Sequence, residues 1–233
     1  IAPKATLVDL THGVPPQDVA VGAYQLSTAW PYFPEGSVHM AVVDPGVGGE
    51  RGVIIVEGGG HYFVGPDNGL LECALALPDR QVYLVGESPY LPKAASHTFH
   101  GRDVFSPLAA QLRAGVAPGT LGVPWAEPTR LEQAVVKEEG GALVGVVIAI
   151  DAFGNLITNI EGARLAGLDD GRRTISLMKG PAIQGLSRTY IDVPEGAPLA
   201  LIGSTGRGES AWRGGSAQAH FQASLGAWIR VEF

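Results

Sequence analysis

Apolar residues recur along this chain in two rhythms that change character near its middle. In "ATLVDL" (5–10), "SVHMAVVD" (37–44), "GVIIVE" (52–57), "HYFVG" (61–65) and "QVYLVG" (81–86) they are crowded, often β-branched or aromatic, and bounded by Gly and Pro. That pattern predicts short buried strands. Between the first two, Val19, Ala23, Leu26 and Trp30 return at helical spacing until Pro31 stops them, which predicts a helix. Further helices are expected over 69–77 and 104–115. Alternating strands and helices predict an α/β layer, in which ligands gather at the carboxyl ends of strands. Asp9 and Asp44 are expected at such ends.

Between about 118 and 141 the periodicity disappears into prolines and charges. Beyond it come "ALVGVVIAID", "NLITNI", "RTISLM", "TYIDV", "PLALIG" and "AWIRVEF", short strand candidates separated by Gly-rich turns with hardly any helix. The expected fold class is therefore α/β: an N-terminal α/β domain with a central sheet over 1–125, a linker over 126–141, and a small C-terminal β-barrel domain over 142–233.

Composition narrows the function classes. At 233 residues and 45% hydrophobic content the chain can bury a sizeable core. A net charge of −7, with Lys and Arg scattered singly or in pairs, offers no basic stripe for nucleic acid. Cys73 is the single cysteine, which excludes an intrachain disulfide and a multi-cysteine zinc site. Its apolar neighbours at helical spacing make it a core residue. No apolar run reaches membrane-spanning length and the first residues lack a signal-peptide core, so a cytoplasmic protein is expected. The missing start Met leads to the expectation of further residues upstream.

Chemistry concentrates in four polar, Gly-rich loops: "DPGVGGER" (44–51), "GPDNGLLE" (65–72), "TFHGRDVFSP" (98–107) and "DAFGNLITN" (151–159). Singly, each reads as an ordinary turn. Together, with an aspartate and a histidine beside arginines, they point to a shared polar site. Sharper generic motifs do not fit. "GVGGERG" has neither the Walker lysine nor dinucleotide spacing. His97 and His100 sit in an irregular stretch with no third ligand spaced to match, so no metal is expected. "GSTG" (203–206) lacks nucleophile-elbow spacing, which argues against Ser204 as a hydrolase serine.

The ordered set "LVDLTHGVPPQD", "DPGVGGER", "GPDNG", "TFHGRDVFSP", "DAFGNLITN" and "VPEGAPLALIGSTG" resembles the S-adenosyl-L-methionine (SAM) hydroxide adenosyltransferases. These adenosine-forming SAM hydrolases are related to bacterial fluorinase and chlorinase. The resemblance spans nearly the whole chain. It implies an N-terminal α/β domain, a C-terminal β-barrel, and a homotrimer with substrate between the N-terminal domain of one subunit and the C-terminal domain of the next. It also implies a reaction without a cofactor: water or hydroxide attacks ribose C5′ of SAM in line, giving adenosine and methionine.

The catalytic triad implied by the resemblance is Asp44, Arg51 and His100. Arg51 would supply a charge that does not titrate, His100 a hydrogen bond to the nucleophile or, when protonated, a further charge, and Asp44 the orientation of the water or of its partners. For substrate, the resemblance puts Asp151 near the methionine amine, Asn155 on the adenine edge and Phe153 nearby, with Tyr190 against adenine. Ser204, Thr205, Trp212 and Gly214 fall in the segment that holds the methionine carboxylate and adenine. Asp67, Asn68, Arg102 and Asp103 read as loop braces.

Two departures accompany the likeness. The family pattern opens with one more strand and an aspartate-bearing loop, both absent from this sequence, and "ESAWRGGSAQAHFQA" is a loose version of the C-terminal segment. Two alternatives stand beside hydrolysis, a non-catalytic SAM or adenosine sensor and a SAM-dependent halogenase. Asp44 argues against the halogenase, because its negative charge repels halide.

Overall fold

A computed structural model describes residues 1–86, 88–91, 96–132, 134–167 and 173–233. The chain forms two compact units, Ile1–Glu132 and Gln133–Phe233.

In the first unit five strands, β1 (Val38–Met40), β2 (Val53–Gly58), β3 (His61–Pro66), β4 (Gln81–Val85) and β5 (Val123–Pro124), make one sheet in the order β1-β3-β2-β4-β5. Only β1 and β3 run parallel, and the other neighbours are antiparallel. β2 and β3 are nearly continuous apolar runs because both faces of the sheet are covered. One face packs Ile54, Val56 and Phe63 with Leu26 of α1 (Val19–Ala29) and with Ala74 and Leu75 of α2 (Glu72–Leu75). The other packs Ile55 and Val64 with Leu108 and Leu112 of α3 (Ser106–Arg113) and Leu121 of α4 (Pro118–Leu121). Asp18 caps α1, its carboxylate accepting from the Val21 N–H at 3.0 Å.

The segment 5–10 is not a strand. Leu7 is 90% exposed and Val8 61%, and among the described residues no ladder partner lies beside them. Apolar, β-branched composition makes a strand only where a neighbour takes its backbone groups. Asp9 therefore sits in exposed coil beside His12. Residues 41–44 likewise leave the strand, although Ala41 N–H still donates to the Val64 carbonyl. Trp125 and Thr129 both donate to Asp67, tying that stretch into the first unit.

The second unit is an antiparallel, barrel-like sheet of eight strands. They are β6 (Lys137–Glu138), β7 (Ala142–Ile150), β8 (Leu156–Glu161), β9 (Thr174–Leu177), β10 (Ile183–Gln184), β11 (Pro198–Ile202), β12 (Arg207–Trp212) and β13 (Trp228–Glu232). The order is β10-β9-β13-β7-β8-β12-β11, with β6 added beside β7. Leu143, Leu156, Ile160, Ile175, Ile229 and Phe221 fill its core, with α5 (Gly162–Ala166) and α6 (Ala217–Phe221) as short connections. "TYIDV" is not a strand: Tyr190–Asp192 is a 3₁₀ turn closed by a reciprocal cap between Thr189 and Asp192. A local side-chain cap outcompeted the β propensity of this segment. The mixed α/β architecture read from the sequence is what the chain adopts, with a first sheet more antiparallel than a doubly wound layer.

Candidate active site

In the first unit the loop after residue 43 carries Asp44 out of the sheet and returns through Arg51 into β2. Because the loop is so short, both side chains stay on one side of it. Arg51 grips Asp44 with two nitrogens: Nε lies 3.0 and 3.1 Å from the carboxylate oxygens, and Nη2 lies 2.5 Å from Oδ2. This bidentate pairing fixes the guanidinium plane. The side chains are 11% and 5% exposed, so water screens the pair little.

His100 reaches the same guanidinium from a different segment, with Nδ1 2.7 Å from Arg51 Nη2. A guanidinium only donates, so Nδ1 is the acceptor and the ring proton sits on Nε2. Each Nη2 hydrogen then has a partner, one on Asp44 and one on His100. Nη1 makes only a 3.4 Å bond to the Gly52 carbonyl, which leaves it with donor capacity to spare. The Phe105 ring lies 5.4 Å beneath the Arg51 guanidinium carbon.

Close packing of the two segments requires Gly48. It sits at φ +77°, and a Cβ there would lie 2.5 Å from the His97 carbonyl oxygen. A bare backbone at this point lets the Asp44–Arg51 loop lie against the turn that leads into His100. That turn is braced by Asp103, whose carboxylate accepts from the Ser96 N–H at 2.7 Å. Arg102 first, then that N–H, hold the Asp103 carboxyl down to about 2. Asn68 braces the other side, donating to the Val43 carbonyl at 2.9 Å.

A cleft of about 540 Å³ opens at Asp44, lined also by Thr11, His12, Val14, Gln17, Val42 and Val43. Its size suits a drug-sized ligand. Gln17, at φ +67°, is one of two non-glycine residues in the left-handed region among those described. Strain of that kind clusters at ligand sites, but no side-chain signal in "PPQD" marked it.

The second unit gathers a separate polar cluster. Asp151 Oδ1 accepts from the backbone N–H groups of Phe153 and Asn155 at 2.9 and 2.8 Å, and Oδ2 accepts from Asn155 Nδ2 at 2.9 Å. Asn155 also reaches the Tyr190 hydroxyl at 3.5 Å, and that hydroxyl donates to Glu209 at 2.6 Å. Phe153 projects 78% exposed from the same loop. Ser204 and Thr205 are exposed in the β11–β12 turn. Trp212 is set apart from the Glu209 cluster. Strand alternation turns it to the core side, where it stacks on His220 at 3.8 Å. Gly214 follows in an exposed turn at φ +75°. Among the described residues no three His, Cys, Asp or Glu side chains form a metal-binding group, and no helix is long and apolar enough to cross a membrane. Cys73 packs partly buried against the first core, and burial pushes its thiol up to about 11.

Comparison with known proteins bears on both units. Residues 1–122 match the SAM hydroxide adenosyltransferase N-terminal domain, and residues 145–230 match the C-terminal domain of that name. The chain is 41% identical to the (R)-S-adenosyl-L-methionine hydrolase of Thermus thermophilus, across 99% of this chain and 89% of that protein. It is 40% identical to the enzyme of the same name from Salinispora arenicola, across 99% and 88%. Fluorinases are less similar relatives. An uncharacterized conserved protein from Thermotoga maritima superposes with a TM-score of 0.91 at 30% identity, covering 99% of this chain and 90% of that one.

Proposed function

The chain belongs to the SAM hydroxide adenosyltransferase family, and from that premise we propose that it hydrolyses SAM to adenosine and methionine. The observation that carries this reading is the convergence of Asp44 and His100 on one guanidinium, that of Arg51. In the reaction a water oxygen bonds to ribose C5′ as the C5′–S bond breaks. The bonding pair goes to sulfur, which leaves as a neutral thioether, and the water proton passes to solvent. Sulfonium is already a good leaving group, so no acid is needed there. The difficulty lies with the nucleophile, because bulk water has a pKa of about 15.7.

Arg51 addresses that difficulty with a permanent charge whose Nη1 is free to donate to developing hydroxide. His100 Nε2–H supplies a second donor from another direction. Asp44 spends both oxygens on Arg51, so it acts by orienting the guanidinium. Holding the nucleophile in line supplies up to roughly 7–11 kcal/mol of the barrier reduction.

In this reading Asp151, Phe153, Asn155, Tyr190, Ser204, Thr205, Trp212 and Gly214 contact substrate. The assembly is a homotrimer in which the second unit of one subunit completes the site of the next, and the protein is cytoplasmic. The family likeness supports the trimer, and the lone cysteine suits a reducing compartment.

The test is incubation with SAM in ¹⁸O-labelled water. Adenosine carrying ¹⁸O at the 5′ hydroxyl, with methionine and no halide requirement, is expected. Tight SAM binding without product identifies a sensor, and product that depends on halide identifies a halogenase. Either result overturns the hydrolase reading.

A further inference from the structure

Glu209 has no role in the reaction outlined above, yet it closes the polar cluster of the second unit. Asn155, 6% exposed, is the amide of that cluster to which the proposed function gives the base contact. Its Nδ2 carries two hydrogens, one directed to Asp151 Oδ2 at 2.9 Å and the other to the Tyr190 oxygen at 3.5 Å. Turning the amide over would set Oδ1 against the Asp151 carboxylate and against the lone pairs of Tyr190 wherever that phenol gives its proton away, so both partners bear on its orientation. Asp151 cannot shift to accommodate a turn because two backbone N–H groups hold its other oxygen.

Tyr190 gives its own proton to Glu209 Oε1 at 2.6 Å, so toward Asn155 the phenol oxygen can only accept. Burial, and then the bond to Glu209, push the phenol up, so it stays a donor. Burial first, and the charge of Asp151, push the Glu209 carboxyl up against the pull of the Tyr190 bond. The carboxylate stands on β12 between β8 and β11, paired with Ile157 and Leu201. Room for it comes from Gly203, where a Cβ would lie 2.6 Å from Glu209 Oε2. Glu209 thus lies between Tyr190 and the turn that bears Ser204 and Thr205.

We propose that Glu209 is a positioning residue: by taking the Tyr190 proton it commits Asn155 to offer a ligand only its carbonyl oxygen. This face of the second unit then selects a purine with an exocyclic amino group over one with a carbonyl at that position. An amino group donates to Oδ1. A carbonyl sets two acceptors against each other and leaves both unpaired, which is where polar sites discriminate most strongly. The inference rests on the adenosine-forming reading and adds the reason for its base preference.

The test is calorimetric titration of the whole protein with adenosine and with inosine, its 6-oxo counterpart. Wild-type protein is expected to bind adenosine about a hundredfold more tightly. Glu209→Leu should weaken adenosine binding about tenfold and narrow that ratio, whereas Glu209→Gln, which still accepts the phenol proton, should restore it. Tyr190→Phe should match Glu209→Leu, and the double variant should be no worse than either, because both act through one bond. An unchanged ratio in Glu209→Leu, additive losses, or a Gln variant as impaired as Leu overturns the proposal while leaving the hydrolase reading in place. Wild-type protein that binds neither nucleoside removes both. If Glu209→Leu fails to fold, the comparison of Tyr190→Phe with Glu209→Gln decides.

Discussion

Arg51 Nη2 lies 2.7 Å from His100 Nδ1, across 49 residues of sequence. The contact reverses the simplest role for a catalytic histidine. Nδ1 is occupied as an acceptor, so in the proposed reaction the ring would meet the nucleophile through Nε2–H, as a donor, and hydroxide would be stabilised by donors without a neutral base facing it.

That polarity separates two variants of His100. Asn places an oxygen near the position of Nδ1 and keeps the bond to Arg51, while losing the Nε2 donor. Both His100→Asn and His100→Ala are expected to lower turnover by orders of magnitude, but only Ala should also loosen Arg51. Steady-state rates with crystal structures of the two variants check this, and near-wild-type rates in both would remove His100 from the chemistry.

Arg51→Lys keeps the charge and loses the fork. A lysine cannot bond both Asp44 oxygens and His100 while leaving a donor for the nucleophile, so turnover should fall on the order of a hundredfold. Tight binding of SAM should persist, since Arg51 addresses the water. A Lys variant with wild-type turnover would mean that charge alone suffices.

Gly48→Ala tests the packing of the two loops. A left-handed φ costs an alanine about 1–2 kcal/mol, and its methyl would collide with the His97 carbonyl. Thermal unfolding should shift down, and turnover should drop more than Tm predicts, because the Arg51–His100 distance opens. Equal activity in Gly48→Ala and wild type would show that loop contact to be dispensable.

A buried histidine pair should set acid stability. His39 Nε2 and His61 Nδ1 are 3.0 Å apart, 6% and 4% exposed, within a cage that includes Phe33, Phe63 and Trp30. Burial, and secondarily the neighbouring His61, lower the His39 pKa from 6.5 to about 4. Unfolded protein therefore binds the proton more readily. The contribution is full above pH 6.5, shrinks as pH falls, and is gone below about 4, a loss of roughly 3 kcal/mol. Urea unfolding across that range should show the slope in wild type and a flatter one in His39→Gln. Parallel curves would assign acid sensitivity to other groups.

Much of this protein is legible in its sequence. Val53–Val56 and Phe63–Val64 are apolar enough to demand burial on both faces, and the helical spacing of Val19, Ala23 and Leu26 marks α1. "DPGVGGER" sets Asp44 and Arg51 on one short glycine loop, within reach of a common point. By contrast, segment 5–10 has strand composition without a strand partner, and "TYIDV" closes into a capped turn. Local pattern records what a segment can bury, whereas a ladder or a cap depends on which groups arrive beside it.

The sequence by itself determined the two-part α/β and all-β character and the family likeness, because each depends on patterns of residues close together along the chain. Only the tertiary structure decided that His100 meets Arg51 through Nδ1, that Gly48 must be bare where it touches His97, and that Glu209 takes the Tyr190 proton. Those relationships join residues from 19 to 49 positions apart. Hydrogen-bond direction follows from which donor already has a partner, and that is settled only when distant strands and loops are packed together.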